Sequence, residues 1–195
     1  MINSINKIVI VGGGTAGWMS ASILKRVLGD LIEVVLVESE QISTVGVGEA
    51  TIPAIQEVNA LLGIDESDFI KETQATIKLA IKFENWKTEG EHYFHTFGAA
   101  GKSIPFCHFH HFLSKVNLLS SSSLWEYDLN YKCCIQNKFA KVSSTAPHTD
   151  LHYAYQFDSK LYGQYLRKYS EKIGVKRIEG IVENVNFSNE AGQVN

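Results

Sequence analysis

An α/β, Rossmann-like fold is the class this sequence predicts, on three observations. Residues 7–11 (KIVIV) are an apolar run, read as a buried strand, that leads straight into glycines. Residues 15–28 carry Ala16, Met19, Ile23 and Val27 at helical spacing, which predicts a helix. Residues 33–38 (EVVLVE) are a second apolar run. Strand, helix and strand at this spacing make a βαβ unit, whose strands lie parallel.

The remaining elements follow in order. A loop over 39–53 ends at Pro53, where proline suits a first helical turn, so a helix starts there. Residues 65–71 predict another short helix. In ATIKLAIKFENW (75–86), Ile77, Leu79, Ile81 and Phe83 alternate with Lys78, Ala80, Lys82 and Glu84. That period of two predicts one strand with one buried face. EHYFHTFG is also extended, residues 98–124 read as loop, and a helix is expected from about Ser123 to Phe139. YAYQF predicts a strand, Asp158 an N-cap, residues 159–172 a helix and Gly174 its C-terminal end. VKRIEG and IVENVNFS read as strands. Asn189 to Gly192 reads as a hairpin turn, with Gln193 and Val194 opening the returning arm. An arm left unpaired in this way predicts a chain truncated relative to the functional protein.

Bulk properties narrow the function classes. The chain has 195 residues, 45% hydrophobic and 20% charged, with net charge −3. That suffices for one good core or for part of a larger domain. No basic excess points to nucleic acid, and no apolar run approaches the roughly 18 residues that span a bilayer. The N-terminus shows no leader pattern, so a cytoplasmic location is expected. The cysteines Cys107, Cys133 and Cys134 make no disulfide framework, and vicinal Cys133 and Cys134 read as reduced thiols. Cys107, His108, His110 and His111 cluster without any recognised ligand spacing, so no metal is expected.

The glycines carry the first chemical signal. Gly12, Gly14 and Gly17 fit G-x-G-x-x-G between strand and helix, and Glu38 ends the next strand. Gly12 permits the tight turn, Gly14 lets main chain approach a pyrophosphate, and Gly17 lets helix and strand pack closely. The helix N-terminus at Thr15 and Ala16 offers free N–H groups and a positive dipole end. Glu38 can accept hydrogen bonds from a ribose diol and would repel a 2′-phosphate, which favours FAD or NAD over NADP. The long wandering stretch before Asp158 suits a flavoprotein whose substrate region is woven through its cofactor domain.

GGGTAGWMSA, GVGEATIP and KLAIKFENW together resemble the flavin-dependent tryptophan halogenase family, and the resemblance runs over essentially the whole chain. It implies an FAD-binding fold of the flavin monooxygenase/halogenase type. Reduced FAD would come from a separate flavin reductase, and oxygen and halide would yield hypohalous acid that a lysine directs onto tryptophan or another indole. One domain is then expected over 1–195. It comprises the dinucleotide motif (7–38), a strap loop (39–53), a catalytic-lysine strand (76–86), a substrate-side insertion (90–150) and a return to the FAD domain (153–195).

By this resemblance Lys78 is the catalytic lysine, although a lysine on a strand face is more often simply solvated. Lys82 lies roughly 13 Å farther along an extended strand and is left structural. The ammonium of Lys78 can hydrogen-bond hypohalous acid; a free amine could form a haloamine, which needs a lowered pKa. His95 and Phe97 match residues lining the indole site, although an ordinary aromatic core explains them too; the family has proline where this chain has Thr96. Val47 and Ala50 in the strap are expected to touch flavin, and Val182 to read adenine through its main chain. Trp-x-Trp-x-Ile-Pro, the partner glutamate and the halide site are expected beyond residue 195. The alternatives are a flavin monooxygenase or NAD-linked oxidoreductase, or a non-catalytic FAD-binding fragment. Neither nucleic acid nor membrane is expected as a partner.

Overall fold

A computed structural model describes residues 5–42, 48–116, 124–141 and 151–186. The chain divides into two compact units: residues 1–49, 57–75 and 157–195, and residues 50–56 and 76–156.

The first unit is built on the predicted βαβ. Strand β1 (Lys7–Val11), helix α1 (Thr15–Leu28) and strand β2 (Glu33–Glu38) have the expected bounds. β1 and β2 pair in parallel from Lys7↔Glu33 to Val11↔Val37. β8 (Lys176–Glu179) adds a third parallel strand on β2, from Val35↔Lys176 to Glu38↔Glu179. Among the described residues β1 is therefore an edge strand of this sheet, half-buried rather than buried, with Val9 and Val11 exposed. Its run of β-branched residues could not tell edge from centre.

Helix α6 (Ser159–Lys172) packs on α1, and Asp158 caps it by accepting from the Leu161 N–H at 3.0 Å. Gly174, at φ +98°, follows it, as predicted. Helix α3 (Glu66–Thr73) is capped by Asp65, which accepts from the Ser67 and Asp68 N–H groups. Phe69 meets Phe157 and Tyr162 edge-on, at 5.7 and 5.3 Å between ring centroids. These rings share the core with Trp18, Leu36 and Leu166, all buried.

Gly17 shows how tightly the glycine turn is packed. A Cβ there would lie 1.9 Å from the Gly12 carbonyl oxygen. Gly17→Ala is expected to cost about 1–3 kcal/mol, as overpacking does, read as a fall in the denaturant midpoint at unchanged slope.

In the second unit, β4 (Thr76–Lys78) pairs antiparallel with β7 (Ala154–Asp158), with Lys78 opposite Ala154. β5 (Ala80–Glu84) pairs antiparallel with β6 (His92–Thr96), from Ala80↔Thr96 to Glu84↔His92. The single strand expected over 75–86 is thus two strands that change partner at Leu79. Alternation records facing, not partner, so it continued through the break. Helix α2 (Ala54–Leu62) follows Pro53 as expected, and β3 (Gly48–Ala50) precedes it.

Three further expectations are corrected. The stretch read as loop contains helix α4 (Phe109–Lys115), anchored by buried Leu113. The single helix expected over 123–139 is a 3-10 turn (Leu124–Tyr127) followed by helix α5 (Leu129–Ile135). Asp128 separates them, extended at φ −110° and ψ 112°, because its side chain caps α5 instead of continuing a helix. Residues 181–186 of IVENVNFS form no strand; they are exposed, and among the described residues none pairs with them. The hairpin over 189–194, the serines at 120–123 and Val47 lie outside the described residues.

Candidate functional site

In the first unit Gly12, Gly14, Glu38 and Val182, among the predicted dinucleotide residues, line one groove. Gly12 turns the chain at φ +108°, and its N–H donates to the Val37 carbonyl at 2.8 Å. Helix α1 then starts at Thr15 with Gly14 as N-cap, no side-chain cap and no acidic residue in its first turn. An uncapped first turn directs N–H dipoles outward and favours an anion. A Cβ at Gly14 would meet nothing within 4 Å, so the space over that residue is open. A cavity of about 400 Å³ is lined by Gly12, Gly14, Glu38, Ser39 and Val182, among others. Ala16 is exposed at the helix start, whereas Thr15 is buried and donates through Oγ1 to the Ser159 carbonyl at 3.2 Å. Open space over glycine, an uncapped helix and a carboxylate at the strand end suit the pyrophosphate and ribose of a dinucleotide.

Glu38 is held from two sides that sequence reasoning missed. Its Oε1 accepts from Arg177 Nε at 2.7 Å and its Oε2 from Trp18 Nε1 at 3.3 Å. Arg177 also bonds Glu40 and Glu179, and the hydrogen bond it donates to Glu38 pushes the guanidinium pKa further up. Arg177 stands opposite Leu36 in the parallel ladder, two places from the Glu38 pair. Its basic charge in a strand beside an acidic strand end was the available signal.

In the second unit Lys78 ends β4 and is only 8% exposed. Its Nζ donates to the Thr51 carbonyl at 2.8 Å and lies 5.4 Å from the centroid of the Phe97 ring. That distance is within the range of a cation–π contact. Burial pushes the Lys78 ammonium below the ordinary lysine pKa. Among the described residues no carboxylate forms an ion pair with it. Thr51 is itself locked to β7: its N–H and Oγ1 each donate to the Tyr155 carbonyl at 2.9 Å, and Oγ1 accepts from the Tyr155 N–H at 3.1 Å. Thr51 acts on Lys78 through main chain, so its side-chain identity gave no warning.

Phe97 is placed beside Lys78 because its N–H donates to the Leu79 carbonyl at 3.1 Å. His95 is exposed and opposes Ile81, so it shares the Phe97 segment but not the described contacts of Lys78. Thr96 donates through Oγ1 to Asp128, a bond no proline could make. Ala50 is exposed at the end of β3. Lys82 is exposed and paired with Glu84.

Elsewhere, His108 and His110 stack with ring centroids 5.9 Å apart. Among the described residues, no group of three or more His, Cys, Asp or Glu side chains is arranged to hold a metal ion. No helix among them is long and apolar enough to cross a membrane.

The tryptophan halogenase family model matches residues 7–195. Tryptophan 7-halogenase RebH of Lentzea aerocolonigenes is 35% identical over 95% of this chain and 38% of its own length. The solved structure of Xcc4156, a flavin-dependent halogenase from Xanthomonas campestris, superposes with TM-score 0.88 at 40% identity, covering 97% of this chain and 38% of that one. BrvH, a flavin-dependent halogenase from Brevundimonas sp. BAL3, gives TM-score 0.85 at 35% identity, covering 98% of this chain and 38% of that one. The chain thus spans about two fifths of the length of these relatives, 38% in each case.

Proposed function

From the tryptophan halogenase family, to which this chain belongs, we propose that the protein is a flavin-dependent halogenase of tryptophan or a similar indole. The observation that carries the reading is Lys78: a buried ammonium held by a main-chain carbonyl, against one aromatic ring, with no ion pair among the described residues. Reduced FAD, delivered by a separate flavin reductase, supplies the chemistry that turns oxygen and halide into hypohalous acid.

The chain's own residues divide the work. Gly12 and Gly14 with the α1 N-terminus at Thr15 and Ala16 take the pyrophosphate, Gly17 lets the helix pack closely against the strand, Glu38 takes the ribose diol, and main chain at Val182 takes the adenine. Val47 and Ala50 are the strap residues that the family resemblance assigns to flavin. The Lys78 ammonium donates a hydrogen bond to the oxygen of hypohalous acid and so makes the halogen more electrophilic. The aromatic carbon bonds the halogen as the halogen–oxygen bond breaks, and the net change is ring C–H plus hypohalous acid to ring C–halogen plus water. Phe97 and His95 form walls for a flat ring that offers few hydrogen bonds. A hydroxylase of this fold has no need for a lysine at this position.

The protein expressed at its full encoded length, with reduced FAD, oxygen and bromide, is expected to brominate indole or tryptophan, detected as the isotope doublet by mass spectrometry. Hydroxylated product without halogenated product would replace this reading with a monooxygenase.

A further inference from the structure

Leu79, where the chain changes partner from β7 to β6, uses its carbonyl twice. It accepts from the Phe97 N–H at 3.1 Å and from Asn130 Nδ2 at 3.2 Å. Asn130 belongs to α5 and is 1% exposed. Its Nδ2 also donates to the His152 carbonyl, and its Oδ1 accepts from the His152 N–H at 3.3 Å. Both ends of the carboxamide are therefore engaged, which makes a buried amide rigid and costly to displace.

The surroundings are built for this side chain. A Cβ at Gly98, the residue after Phe97, would fall 2.6 Å from Asn130 Oδ1, so glycine leaves the room it occupies. Asp128 fixes the start of α5 by accepting from the Tyr131 N–H at 3.0 Å, and it also accepts from Thr96 on β6. His152 lies two residues before Ala154, which opposes Lys78 across the β4–β7 pair. One buried amide thus grips the residue after Lys78 and the segment that leads into its partner strand. The same Leu79 carbonyl seats Phe97.

We propose that Asn130 is a positioning residue for Lys78: its carboxamide holds the strand break at Leu79, so that the ammonium stays buried between the Thr51 carbonyl and the Phe97 ring. The role in turnover rests on the reading of Lys78 as the halogenating group; the role in holding Lys78 does not. Asn130→Ala removes all three hydrogen bonds. Asn130→Asp keeps the volume and one acceptor but loses both donors.

The test uses these variants at full encoded length. Acylation of Lys78 by an amine reagent at fixed pH is followed by peptide mass spectrometry, with exposed Lys82 as the internal reference. Losing a buried hydrogen-bond clamp should raise Lys78 labelling by about tenfold relative to Lys82. The kcat for halogenation should fall by a similar factor while the KM for reduced FAD stays unchanged. Unchanged Lys78 labelling in a folded variant would overturn the proposal. So would global unfolding of both variants, which would assign Asn130 to the stability of the whole unit. If Lys78→Ala leaves halogenation intact, the proposed function fails, and the labelling ratio still decides whether Asn130 holds Lys78.

Discussion

Lys78→Ala is expected to lower halogenation by about a hundredfold or more while leaving FAD binding intact. The magnitude is that of removing a positioned proton donor from a reacting atom. FAD binding should survive because Lys78 is not among the residues lining the glycine groove. Folding should survive too, because a buried charge without a counter-charge is no asset to stability. Lys78→Met keeps the stem and removes only the charge, and it should be as inactive as alanine. The pH dependence follows from burial, which lowers the Lys78 pKa. The ammonium is the working form, so the rate should fall as pH rises through that lowered value. Between the folded value and the ordinary value of about 10.4, the unfolded chain binds more protons, so stability should rise with pH there. Lys78→Met should remove that slope from a set of denaturant melts. Halogenation by Lys78→Ala at the wild-type rate would end the assignment of this lysine.

What was legible in the sequence was local. The bounds of β1, α1 and β2 follow from apolar spacing and the glycine turn, and the Asp158 cap follows from a residue adjacent to the helix it starts. The glycines and Glu38 of the groove follow as well, because each sits at the end of a parallel strand or just beyond it, whereas Val182 came from the resemblance and lies in a stretch that forms no strand. The partner change at Leu79 did not, because both halves keep the same alternation and only long-range bonds to β7 and β6 separate them. The environment of Lys78 was equally hidden. Its hydrogen-bond acceptor is a main-chain atom 27 residues away, and Asn130 reaches Leu79 from 51 residues away. The resemblance picked out Lys78 from its motif; the structure adds why it differs from Lys82, one being buried and the other exposed beside Glu84. IVENVNFS failed for the converse reason: a strand-like pattern needs a ladder partner, and among the described residues it has none.

Gly14→Val is expected to fold and to lose FAD, with affinity down by about a hundredfold or more. Gly14 has φ −74° and ψ −179°, a backbone that any residue adopts, so valine introduces no strain. Its Cβ meets no protein atom within 4 Å, so the side chain enters the open groove rather than the core. The loss of glycine at an N-cap costs about 1 kcal/mol or less, a small change in Tm. The same methyl groups occupy the space over the α1 N-terminus, where main chain must come close to a pyrophosphate. Fluorescence quenching on FAD titration and flavin absorbance after desalting both read the loss. Gly17→Ala is the complementary case: its Cβ strikes the Gly12 carbonyl, so it should lower Tm, and whatever folded protein remains keeps an open groove over Gly14. The two glycines thus separate cofactor space from packing space within one motif. Wild-type flavin binding by Gly14→Val would show that the pyrophosphate lies elsewhere, and the proposed roles of Thr15 and Ala16 would fall with it.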